Sequence, residues 1–300
     1  MTSAWAQEKT LTMENISLLK EYLKMKIAII AALGLSVTGL NAAPYYVGET
    51  LNQKNNVTLN FQDTLVKDEA TVGDGSANIA AFQLRGAYNV SPNIPVSFNV
   101  PFYMAGKKLS GESRSALGNF GLGLGWSNSM PTADREMTWG YTAMLNAWMP
   151  TSRKIEGAAV AGTNLPIDYY KFAVKSTSIV PTVGLWLTAD MITVKGNVGY
   201  GFTRTSASGA TDKNLNTYTG QLAASWHAMN NVDLNVEYNA ITGESSFRGE
   251  TFSKLTHQIS PSISGSFDNI MGSAFVNIPL DKASRDITTL AFGANVGYMF

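Results

Sequence analysis

Few side chains in this sequence could do covalent chemistry. There are two histidines, His227 and His257, and no cysteine, which excludes thiolate nucleophiles, disulfides and Cys-ligated metals. His257 follows Ser245, Ser246 and Ser253, and a base beside a hydroxyl is the minimum for nucleophilic catalysis. No phospholipase-like signature surrounds it, and an imidazole near membrane headgroups is the plainer reading. His227 reads as a turn residue. The run Gly121-Leu122-Gly123-Leu124-Gly125 is no nucleotide loop, because such a loop needs a strand before it and a helix after it. These glycines sit inside an alternating segment, where they would thin a wall or let a neighbouring side chain lie across it. EF-hand, Walker and zinc spacings are absent from the sequence, so no metal and no cofactor is expected.

The remaining chemistry is polar and arranged on alternate residues. Gln83 and Arg85 alternate with Phe82 and Leu84, Asn99 with Phe98 and Val100, Lys195 with Val194, Asp233 and Glu237 with Leu234 and Val236, and Gln258 with His257 and Ile259. Period two puts successive side chains on opposite faces of a strand, so each ladder has one apolar and one polar environment. If the polar face is a lumen, Gln83, Arg85, Asn99, Lys195, Asp233, Glu237 and Gln258 line it. Their charges either set a transverse field for permeating solutes or pair as a structural network. Ser260, Ser262, Ser264 and Ser266 share that face as wetted wall.

The elements that position these residues are long strands. Alternating segments run near 56–66, 78–90, 94–104, 116–128, 136–149, 172–188, 191–204, 215–228, 232–242, 254–267, 270–280 and 287–300. A soluble sandwich uses strands of about five or six residues, whereas these are long enough to cross a bilayer at a tilt. Short connections alternate with mostly longer, Gly-, Lys- and Glu-bearing ones, as in outer-membrane barrels. Tyr88, Trp126, Trp139, Trp186, Trp226 and Tyr298 fall at the short-turn ends of their segments, where interfacial aromatics belong. Trp148 and Trp186 sit on the polar face. The fold expected is all-β, a transmembrane antiparallel up-and-down barrel of about twelve strands over 56–300. An even number puts both barrel ends of the chain on the periplasmic side.

The amino end reads as targeting. MKIAIIAALGLSVTGLNA, residues 25–42, has the basic start, apolar run and small residues of a cleavable signal peptide. Residues 1–24 read as a mis-assigned start or an extended n-region, and 43–55 as a periplasmic segment able to enter the lumen as a plug. The 300 residues carry 22 basic and 22 acidic side chains. Loss of residues 1–42 removes four lysines and three glutamates and leaves about one net negative charge. No basic field exists to attract nucleic acid.

The segments VPFYMAG, SALGNFGLGLGW and MLNAWMPTSR resemble the pattern of the outer-membrane barrel family associated with the meta-pathway of phenol degradation, a group of transporters. Pro101 and Phe102 match its Pro-aromatic pair, and Pro150 and Thr151 its Leu-Pro-Thr-Gly ending. Asn119 stands where Asp is expected, Met149 replaces Leu and Ser152 replaces Gly. The resemblance implies passage of small molecules, hydrophobic and aromatic ones included, across the outer membrane. Arg153, Lys154 and Glu156 in loop 150–167 could constrict such a path. The expected partners are outer-membrane lipids, small solutes, and the barrel-assembly machinery, which would read the last strand ending at Phe300. The rival readings are a structural or adhesive surface barrel and an outer-membrane lipid hydrolase using His257.

Overall fold

A computed structural model of the chain describes residues 55–66, 77–105, 114–132, 137–151, 176–205, 214–229, 231–244, 246–247, 250–251, 255–282, 285 and 288–300. The segments read as an amino-terminal extension (1–24) and signal peptide (25–42) lie outside these residues, as does the segment 43–55 except for Asn55. So do Arg153, Lys154 and Glu156.

The strands are β1 (Asn56–Val66), β2 (Ala77–Ser91), β3 (Ile94–Ala105), β4 (Arg114–Leu117), β5 (Phe120–Pro131), β6 (Met137–Met149), β7 (Ser176–Ala189), β8 (Ile192–Thr205), β9 (Asn214–Met229), β10 (Val232–Glu244), β11 (Ser246–Phe247), β12 (Glu250–Thr251), β13 (Thr256–Phe267), β14 (Ile270–Pro279) and β15 (Thr288–Met299). Each long strand pairs antiparallel with its neighbours in sequence, β1 pairs with β15, and the β2–β3 pairing completes the ring. With β4 and β5 forming one interrupted wall, this is a closed twelve-stranded barrel. Closure satisfies every ladder in a medium that offers no water to a free edge. At the seam Phe300 N–H donates to the Asn55 carbonyl at 2.8 Å. β11 and β12 form a small separate hairpin that the alternation did not reveal.

Short turns gather at one end, which we term the short-turn end. Asp190 (φ 48°) and Asp268 (φ 51°) take the left-handed conformation that lets β7–β8 and β13–β14 reverse within two residues; aspartate tolerates it better than most residues with a Cβ.

The barrel is inside out relative to a soluble core. Val183 and Leu222 are each 57% exposed, while Gln62 and Asn60 are 0% and 1% exposed. An apolar belt facing outward and amides packed inward are stable only when the exterior is hydrocarbon.

Two of the expected strands differ from those observed. The sixth, read as 172–188, is described from Ser176 and continues unbroken to Ala189. The fourth, read as one strand over 116–128, breaks at Gly118-Asn119 between β4 and β5. The break lies beside Pro101, which has no N–H to give the ladder. There Gly118 N–H donates to the Pro101 carbonyl at 2.8 Å. The Thr151 hydroxyl donates to the Gly118 carbonyl at 2.6 Å and accepts from Phe120 N–H at 2.8 Å. Asn119 is fully buried in this knot. Pro101 and Thr151, which match the family pattern, and Asn119, which stands where that pattern has Asp, thus meet at one place in the wall.

Candidate functional site: the lumen and its short-turn mouth

A cavity of about 240 Å³ lies inside the barrel. It runs inward from Asn89, Pro92 and Pro95 near the short-turn end and reaches Arg85, Asn99, Lys195 and Gln221. Of the seven residues expected to line a lumen, Arg85, Asn99 and Lys195 border this cavity; Gln83, Asp233, Glu237 and Gln258 face inward but do not. Gln83 accepts from Asn99 Nδ2 at 3.4 Å. Gln258 belongs to a packed chain: its Nε2 donates to Ser260 Oγ at 3.5 Å, Ser260 donates to Asn277 Oδ1 at 2.6 Å, and Asn277 donates to Gln62 Oε1 at 3.2 Å. The lumen is therefore lopsided, filled by polar packing along β13, β14 and the Gln62 stretch of β1 and hollow against the start of β1, β2, β3 and β5 to β10.

A second amide ladder forms part of the hollow side. Asn197 Nδ2 donates to Gln221 Oε1 at 3.1 Å, Gln221 Nε2 to Asn239 Oδ1 at 2.8 Å, and Asn239 Nδ2 to Glu237 Oε1 at 2.7 Å. Backbone register sets Lys195 and Glu237 on either side of Ala223 in one row, both nearly fully buried.

Glycines make room for the two inward tryptophans. A Cβ at Gly121 would fall 2.6 Å from the Trp148 ring, and one at Gly140 would fall 2.5 Å from the Trp186 ring. The indoles lie across the bare backbone of the neighbouring strand, which accounts for tryptophans on the polar face.

His227 corrects the sequence reading: it belongs to β9 and faces the lumen, not a turn. Its neighbour Ala228 is bulged out of the β9–β10 ladder, so that Val232 pairs with Met229 and Asp233 with His227. Such bulges re-aim side chains. Here the result is a chain of hydrogen bonds: Asp233 Oδ1 to His227 Nδ1 at 2.8 Å, His227 Nε2 to Thr193 Oγ1 at 2.9 Å, and Thr193 Oγ1 to Thr188 Oγ1 at 2.9 Å. The His227 and Asp233 side chains are 38% and 34% exposed. The order hydroxyl, imidazole, carboxylate is that of a nucleophilic triad. Thr193, however, is only 5% exposed and its oxygen is already held by Thr188, so a substrate carbonyl has no approach to it. The sequence signal that could have found this group is the Thr193, His227, Asp233 trio near adjacent strand ends.

His257 lies on the outer face near the opposite end. Its Nδ1 and the Tyr238 hydroxyl are 3.1 Å apart, the two rings meet edge to face at 5.8 Å, and its N–H donates to Asp281 Oδ2 at 3.0 Å. The side chains of Ser245, Ser246 and Ser253 lie outside the described residues.

Fold and site together define a transmembrane β-barrel of the outer-membrane class with a partly hollow, polar lumen. No family model and no curated protein matches the sequence. Among solved structures the chain is similar to the COG4313 outer membrane channel from Pseudomonas putida F1, with a TM-score of 0.60 at 12% identity over 87% of this chain and 100% of that one. It also matches the KdgM porin in complex with disordered oligogalacturonate, with a TM-score of 0.45 at 9% identity over 82% and 99%. Outer membrane phospholipase A from Escherichia coli matches with a TM-score of 0.44 at 13% identity over 90% and 96%. The first of these establishes the shared barrel fold.

Proposed function

We propose that this barrel is a passive outer-membrane channel or transporter for small molecules, hydrophobic and aromatic ones included. The observation that carries the reading is the cavity of about 240 Å³ inside a barrel whose lumen is filled by hydrogen-bonded polar side chains along β13 and β14. A purely structural barrel has no need to leave that side hollow. Solutes would enter down their gradient, meet Asn, Gln and Thr groups able to replace lost water, and pass the cationic Arg85 and Lys195. The short-turn end is taken as periplasmic, following the usual placement of short turns in such barrels. The apolar belt would contact membrane lipids, and the last strand with Phe300 would be the segment read by the assembly machinery. The resemblance at Pro101, Phe102, Pro150 and Thr151 supports a transporter of the phenol meta-pathway type.

Liposome swelling with the purified protein tests the reading. Entry of small phenols and benzoates faster than into protein-free liposomes supports it, and identical rates with and without protein contradict it.

A further inference from the structure

We infer that His227 and Asp233 form a proton-titrated selectivity element at the short-turn mouth, which moves the lumen toward anion preference when the imidazole takes up a proton. The inference rests on the passage reading above and adds a specificity-determining pair to it.

Among the described lumen-facing side chains are two cations, Arg85 and Lys195, and two carboxylates, Asp233 and Glu237. Proton uptake by His227 adds one positive charge beside this small set at the mouth. The groups facing His227 are Thr193 and, one row deeper, Lys195 on β8; Asp233 and then Glu237 on β10; and Thr188 on β7, reached through Thr193. The exposed Asp190 lies in the β7–β8 turn, and His227 N–H donates to the Met191 carbonyl of that turn at 2.8 Å.

The hydrogen-bond chain accommodates either charge state without moving the backbone. A carboxylate only accepts, so Nδ1–H donates to Asp233 and Nε2 of the neutral ring is left to accept from Thr193. After protonation Nε2 must donate. The Thr193 hydroxyl can then turn round and donate to Thr188, because each hydroxyl both donates and accepts. The whole consequence of protonation is electrostatic: the mouth pair passes from one net negative charge to none. One elementary charge about 10 Å from the ion path in water changes local ion concentration about twofold.

The test is the reversal potential of the full-length protein in planar bilayers under a KCl gradient, recorded from pH 8 to pH 5 at low ionic strength. The chloride-to-potassium permeability ratio is expected to rise about fourfold as pH falls, the anion gaining and the cation losing about twofold each, and the rise should shrink in 1 M salt, where the screening length is about 3 Å. His227→Gln should hold one ratio across the range, and Asp233→Asn should be more anion-preferring than the native protein at pH 8. A native ratio that does not change with pH overturns the inference while leaving passage intact, as does an unaltered pH response in His227→Gln. Absence of current at every pH overturns the passage reading and this inference with it.

Discussion

Trp148 lies across the backbone of Gly121 so closely that a Cβ there would stand 2.6 Å from its ring. The indole thereby occupies the space that a side chain at position 121 would need. Gly140 and Trp186 repeat the arrangement nearby. The glycines of β5 and β6 are thus half of a packing pair whose other half is aromatic.

This packing makes glycine replacements unequal. Gly121→Val should destabilise the barrel by about 1 to 3 kcal/mol, the usual cost of overpacking. Gly220→Ala should lie within about 0.5 kcal/mol of the native protein, because a Cβ there meets nothing within 4 Å. Urea unfolding in lipid vesicles would show whether the two variants separate as stated.

At the broken wall, Thr151→Val should remove both the bond to the Gly118 carbonyl and the one from Phe120 N–H. At about 0.5 to 1.5 kcal/mol for each bond, the loss should appear first as faster amide exchange at Phe120. Exchange there as slow as in the native protein would mean that Thr151 does not hold the break.

Val183 is lipid-facing and near the middle of β7. Val183→Arg is expected to cost about 2 to 4 kcal/mol, as cations do on the lipid face at the bilayer midplane. The same change at a water-exposed strand position would be nearly neutral, so unfolding free energies of the two forms in vesicles distinguish a membrane exterior from a wet one.

Much of the fold is legible because period two is a local signal. Val198 beside Asn197, or Leu222 beside Gln221, declares its face without reference to the rest of the chain, and the inward pointing of Lys195 and Gln258 follows from the same parity. What parity does not carry is register. The bulge at Ala228 decides that Asp233 meets His227, and no residue type in 226–233 announces it. Likewise Pro101, Asn119 and Thr151 are separated by long stretches of sequence, and their convergence depends on how β3, β5 and β6 align. Which polar positions are packed and which are hollow is also a property of the closed ring: Gln62 reaches Asn277 across 215 residues of sequence.

The most direct test of the central claim is the single-channel current of the native protein compared with that of Thr142→Trp, which places an indole in the cavity that Thr142 borders. Passage through this lumen predicts steady unitary currents in the native protein and a marked reduction in the variant, with both proteins folded by heat-modifiable mobility. A silent native barrel, or equal currents from the two proteins, would contradict it.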